Sequence, residues 1–143
     1  MQTSCGVLLL NEFDEVLVAH ATGQRHWDLP KGGREQHESD QEAALRELRE
    51  ETGIVLPAES LKHLGVFDYR PQKRLSLFLA RVSKSTVDPS TCRCTSTFRD
   101  MNNEEVPEAD EFAWVRWLDL PSFCTGRMCA VLNKARDQFV SPA

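Results

Sequence analysis

The chain of 143 residues contains no apolar run near the ~20 residues needed to cross a bilayer. Its opening, MQTSCGVLLLNEFDEV, lacks a basic region before the short apolar stretch, which turns acidic at once. Neither a membrane span nor an export signal is expected. Positive charge is also short: 17 Lys and Arg against 22 Asp and Glu leave a net charge of −5. That balance argues against a duplex DNA binder, which needs a basic stripe to displace counterions from phosphates, and leaves small anionic ligands met by a local cluster or a metal. Cys5, Cys92, Cys94, Cys124 and Cys129 are odd in number and irregular in spacing. They imply reduced thiols in a cytoplasm, not a disulfide framework, and their spacing fits no standard zinc site. No Gly-x-Ser-x-Gly elbow and no Gly-Lys-Ser/Thr phosphate loop occurs, so neither a serine hydrolase nor a Walker-type nucleotidase is expected. Internal repeats and low-complexity segments are missing as well.

What remains is one ordinary globular domain over 1–143, 41% hydrophobic and long enough to close a core. SCGVLLL and EVLVAHA read as two strands of a hairpin around the polar turn NEFD. GQRHWDLPKGG reads as a loop, broken by Pro30 and the pair Gly32 and Gly33. A helix follows, capped by Ser39 with Glu42 completing a capping box and Gly53 as its left-handed stop. Ala44, Leu45 and Leu48 form its buried stripe. LKHLGVFDYR and RLSLFLARV are strand-like around a PQK turn. Ser83 to Asp110 reads as a long loop, EFAWVRWLDL as a last strand, and CTGRMCAVLNKARDQF as a closing helix with Met128, Val131 and Leu132 on one side.

The acids of the central helix call for an explanation. Glu47 shares a helix face with Glu50 and Glu51, and like charges at that spacing destabilise an isolated helix by a few tenths of a kcal/mol per pair. Glu50 and Glu51 also lie in the last turn, where the helix dipole already disfavours negative charge. Arg46 and Arg49 offset part of this, and a solvated face of Glu–Arg pairs is the plain alternative. The placement favours a hard divalent cation, Mg²⁺ or Mn²⁺, held by carboxylate oxygens. Gly32 and Gly33 are expected to adopt torsions that other residues resist, turning a carbonyl inward, so that loop and helix form one cup.

Gly32, five residues, Glu38, seven residues, Arg46-Glu47-Leu48, one residue, Glu50-Glu51, one residue and Gly53-Ile54 together resemble the signature of the Nudix, or MutT-like, hydrolases. The match spans 23 residues and holds at every specified position. The resemblance implies an α/β/α sandwich with a mixed β-sheet and a loop–helix–loop, and a metal-dependent hydrolase of nucleoside diphosphate derivatives. By the same resemblance Glu50 and Glu51 are metal ligands, and Glu47 is a ligand or the group that deprotonates the attacking water. Arg46 holds Glu47, Glu38 is a supporting ligand or fixes the loop, the Lys31 carbonyl is a backbone ligand, and Gly53 is structural. Hydrolysis of a diphosphate by water needs cations where charge develops and a base, with no covalent nucleophile.

Members of that family often recruit a further acid downstream. Glu104, Glu105, Glu108 and Glu111 are the candidates; Glu108 is favoured because similar enzymes place a Pro-Glu six residues before the tryptophan of the last strand, here Trp114. Lys31, Arg34, Tyr69, Lys73 and Arg74, with Arg25 and Arg70, are candidates to hold phosphates or stack a base. His26 and Trp27 are expected to anchor the loop by packing. WDLPKGG is similar to stretches in dinucleoside polyphosphate hydrolases and RNA 5′-pyrophosphohydrolases. A dinucleoside polyphosphate such as diadenosine tetraphosphate is the expected substrate, with an RNA 5′ end or an oxidised nucleoside triphosphate as alternatives. ADP-ribose ranks lower, because the dimer-forming N-terminal segment usual in those enzymes is missing, and a monomer or weak homodimer is expected. A Nudix-fold binding module without hydrolysis is the remote alternative; such modules lose the acids that this chain keeps.

Overall fold

A computed structural model describes residues 1–139; the single-domain expectation over 1–143 extends past them. The two apolar runs are strands β1 (Gln2–Leu10) and β2 (Glu15–Ala21). They pair only at Leu10 and Val16, the mouth of the expected hairpin, and then separate. The gap between them is filled by the segment read from sequence as a plain loop. It contains two short strands, β3 (Trp27–Asp28) paired with β2 and β4 (Lys31–Gly33) paired with β1.

The helix α1 runs from Asp40 to Thr52 with both halves of the capping box formed, and Gly53 closes it at φ 82°. Its buried stripe is Ala43, Ala44, Glu47, Leu48 and Thr52; Leu45 sits at the margin and Ala43 takes its place. Strands β5 (Lys62–Arg70) and β6 (Lys73–Arg81) follow as an antiparallel pair, with Gln72 in the turn at φ 64°. β6 lies parallel to the whole of β1. The long polar stretch is more structured than its composition implies: it holds a separate two-stranded hairpin, β7 (Thr97–Arg99) and β8 (Glu105–Pro107). β9 (Ala109–Arg116) pairs with β2, and the segment expected to extend that strand instead winds into a 3-10 turn over Trp117–Ser122, where Pro121 has no N–H for a ladder. The helix α2 (Gly126–Phe139) closes the described chain.

These pairings build one mixed seven-stranded sheet, ordered β3-β2-β1-β6-β5 with β4 on β1 and β9 on β2. Alternation along the central strands feeds two cores. Leu8, Leu10, Val16, Val18, Leu75, Leu77 and Leu79 pack with Met128, Val131 and Leu132 of α2. Cys5, Val7, Leu9, Leu17, Phe78 and Ala80 pack with Ala43, Ala44 and Leu48 of α1. Each fully buried leucine contributes about 1.5–3 kcal/mol. The architecture is the α/β/α sandwich, and β3 and β4, set between β1 and β2, bring Asp28 and Lys31 beside the end of α1.

Candidate active site

The site is built on the junction of β4 and α1. In the antiparallel β1–β4 pairing, the Val7 N–H donates to the Pro30 carbonyl (3.2 Å) and the Arg34 N–H to the Thr3 carbonyl (2.9 Å). Lys31 and Gly33 fall between those bonds, opposite Gly6 and Ser4, so their backbone groups point away from β1 and toward α1. The Lys31 N–H donates to Glu51 Oε2, and the Gly33 carbonyl accepts from Arg46 Nη2 at 3.0 Å. The Lys31 carbonyl thus faces α1, unclaimed by β1, where a backbone ligand was expected.

Arg46 organises the acids. Its Nε and Nη2 grip both oxygens of Glu38 at 2.7 and 2.9 Å, while Nη1 reaches Glu47 Oε1 at 2.9 Å and Glu50 Oε2 at 3.0 Å. The guanidinium pulls Glu38 down to about 2, so Glu38 acts in this structure as the fixing contact of the loop. Glu47 is buried, and burial raises its pKa against the opposing pull of Arg46. Burial and then the charge of Glu47 push Glu51 up to about 9.

Gly32 has a different role from the expected one. Its φ is not positive; the glycines in the left-handed region are Gly23, Gly53 and Gly65. A Cβ at Gly32 would fall inside the carboxylate of Glu47, 2.1 Å from Oε2 and 2.2 Å from Cδ. The missing side chain is the space in which that carboxylate lies.

As they stand, no three His, Cys, Asp or Glu side chains among the described residues converge closely enough to hold an ion. Loop and helix meet, but the expected cup is not preassembled, because Arg46 draws Glu47 and Glu50 to itself and Glu51 turns to the Lys31 N–H. The donor set still suits a hard divalent cation: three neighbouring carboxylates and a carbonyl, one carboxylate pushed up to about 9 by burial and then by the charge of Glu47, which a cation would offset.

A cavity of about 160 Å³ beside this cluster is lined by Asp28, Lys31, Glu51 and Glu108. Glu108 is therefore the downstream acid on its wall. Glu111 lines the neighbouring cavity with Asp88 and Arg93, while Glu104 and Glu105 lie out on the β7–β8 hairpin. Asp28 was not singled out from sequence; its spacing to Lys31 was the available signal, and it pairs with Lys31 Nζ at 3.2 Å.

The basic cluster divides. Lys31 is occupied by Asp28 and lies over the Tyr69 ring at 5.2 Å, and Arg34 pairs with Asp40 at 3.3 Å. Tyr69 does not present a stacking face: it is 7% exposed, packed in the core and covered by Lys31 and Arg70. Lys73, Arg74 and the exposed Arg70 flank the β5–β6 turn without an ion pair among the described residues; Arg25 is exposed on the β2–β3 loop. Trp27 packs against His20 and Phe123. The cysteines are free, and Cys92 and Cys124 lie in opposite cores of the sheet, which separates the two halves of any zinc site.

Residues 1–138 match the NUDIX domain model. The chain belongs to the Nudix family. It is 34% identical over 121 residues to an uncharacterized 17.7 kDa protein of Enterobacteria phage T4, covering 78% of this chain and 80% of that one. It is 32% identical over 118 residues to an RNA pyrophosphohydrolase of Marinomonas sp. (strain MWYL1), covering 78% and 73%. An Ap4A hydrolase structure from C. elegans superposes with a TM-score of 0.69 at 20% identity, over 97% of this chain and 99% of that one, a likeness of fold. With its Nudix box intact, the chain is a Nudix pyrophosphohydrolase.

Proposed function

We propose that this Nudix enzyme hydrolyses a phosphoanhydride bond in a dinucleoside polyphosphate such as diadenosine tetraphosphate. The observation that carries the reading is the group of Glu47, Glu50 and Glu51 at one end of α1, with Glu51 bound to the Lys31 backbone and facing Glu108 across one small cavity. A divalent cation, Mg²⁺ or Mn²⁺, held by these three carboxylates and the Lys31 carbonyl would supply positive charge to the phosphate oxygens as the anhydride breaks. The Glu47 carboxylate lies against Gly32 with Oε1 fixed by Arg46, so Oε2, not held by that guanidinium, takes the proton from water. Its raised pKa improves it as a base. Arg70, Lys73 and Arg74 offer charge-assisted bonds to the more distant phosphates. An acidic whole with a local basic cluster favours a small substrate over a polymer.

A second reading, removal of pyrophosphate from an RNA 5′ end, is favoured by the identity to proteins named RNA pyrophosphohydrolase. Both are tested by one panel in Mg²⁺: diadenosine polyphosphates, a 5′-triphosphorylated oligonucleotide, 8-oxo-dGTP and ADP-ribose, with products identified by mass. Diadenosine tetraphosphate is expected to give the highest kcat/KM, and Glu47→Gln to lower kcat at least ~10²-fold while keeping substrate binding. A higher kcat/KM on the oligonucleotide selects the second reading; preference for ADP-ribose or 8-oxo-dGTP overturns both.

A further inference from the structure

Strands β7 and β8 pair with each other and not with the main sheet. Their register sets Thr97 opposite Pro107, Phe98 opposite Val106 and Arg99 opposite Glu105. It continues at the root, where the Glu108 N–H donates to the Ser96 carbonyl at 2.9 Å and Ser96 Oγ lies 3.4 Å from Glu108 Oε2. Because side chains alternate along a strand, Ser96, Phe98, Val106 and Glu108 share one face. The cavities agree with this: Glu108 faces the one containing Lys31 and Glu51, and Pro107 faces the other. The Phe98–Val106 pair therefore stands about 7 Å outward from Glu108 on the same face of the hairpin, two residues along an extended strand.

The root of the hairpin is tied to the turn of α1 that carries the acids. Thr95 donates its N–H to the Glu50 carbonyl at 2.6 Å and its hydroxyl at 3.1 Å, and the Arg93 N–H reaches the Thr52 carbonyl at 3.0 Å. The tip is held by polar bonds: Asp100 accepts the Asn102 and Glu104 N–H groups, and Arg99 donates to the Asn103 carbonyl. Phe98 contributes little to that framework and remains 40% exposed. A single exposed phenyl is ordinary on a protein surface. This one shares a face with the acid of the cavity wall.

We propose that the β7–β8 hairpin is a platform for the nucleobase of the substrate, with Phe98 as the ring on which the base stacks and Val106 beside it. The inference rests on the reading of the substrate as a nucleotide cleaved beside Glu108. The base is the fitting occupant because Asp100 and Glu104 border the same face and repel phosphate, while a neutral planar ring meets only the phenyl and the valine. A phenyl offers a π-face without a hydrogen-bond donor, so the platform holds purines and pyrimidines with little choice between them.

The test compares wild type, Phe98→Ala and Phe98→Trp on diadenosine tetraphosphate and on ribose 5-triphosphate, which lacks a base. Phe98→Ala should raise KM for the base-bearing substrate about tenfold with kcat nearly unchanged, Phe98→Trp should restore it, and KM for ribose 5-triphosphate should not move. Calorimetric binding of diadenosine tetraphosphate with Ca²⁺ in place of Mg²⁺ gives the same comparison without turnover. If wild type hydrolyses neither compound, the hydrolase reading fails, and about tenfold weaker calorimetric binding by Phe98→Ala still upholds the platform. Equal effects on both compounds, or no weakening for the base-bearing one, overturn it.

Discussion

Gly32 illustrates how one missing side chain can place a carboxylate without being flexible. The carboxylate of Glu47 occupies the space where a Cβ would stand, and Arg46 fixes its other oxygen. A methyl at position 32 would push the far end of a glutamate side chain, which can rotate away at small cost, so the fold should survive. The position of the carboxylate should not. Gly32→Ala is expected to melt close to wild type and to lose about 10²-fold in kcat, since an ångström of misplacement in a proton acceptor has that order of effect. Comparable melting with wild-type kcat would separate Gly32 from the chemistry. From sequence Gly32 was legible as a motif position, but its physical role was not: the glutamate that needs the space lies 15 positions along the chain, and only packing brings them together.

At the scale of elements, the loop and α1 behave as one unit because Glu38 is clamped by Arg46 at 2.7 and 2.9 Å. The clamp has a pH signature. Arg46 lowers the Glu38 pKa from 4.5 to about 2, so its stabilising contribution is complete above 4.5 and is lost as pH falls toward 2. Denaturant melts across that window should therefore fall more steeply for wild type than for Glu38→Gln, which is less stable at neutral pH and has no such proton to bind. Parallel curves would mean that the clamp does not contribute to stability. The elements differ in how far they could be read in advance. Ser39, Glu42 and Gly53 act within a turn of their own position, so the limits of α1 were legible, as were the alternating runs of β1, β2, β5 and β6. β3 and β4 were not, because strands of two and three residues carry no pattern of their own and exist through pairing with β2 and β1. The β7–β8 hairpin escaped for a related reason: largely exposed on both faces, it has no buried side to impose alternation.

For the whole molecule the decisive question is where the surplus of negative charge becomes useful. The net charge of −5 is spread over the surface, but Glu47 and Glu51 are drawn into the protein beside Glu50 at one helix end, where burial and mutual repulsion both work against them. Arg46 answers only part of this, having committed two of its nitrogens to Glu38. A divalent cation bound by the folded chain alone would relieve the rest and stabilise it by mass action, about 2.7 kcal/mol at a hundredfold excess over Kd. For a domain of this size that corresponds to a rise in Tm on the order of 5–10 °C. Glu50→Gln with Glu51→Gln keeps the shapes and removes two charges, so it should abolish the rise while leaving the metal-free protein as stable as before or slightly more so. Thermal melts with and without Mg²⁺, and with Mn²⁺ as a second cation, measure both effects on the same samples. A Tm rise that persists in the double variant would place the cation elsewhere, and a loss of metal-free stability would mean that the two carboxylates hold the fold together and do not strain it.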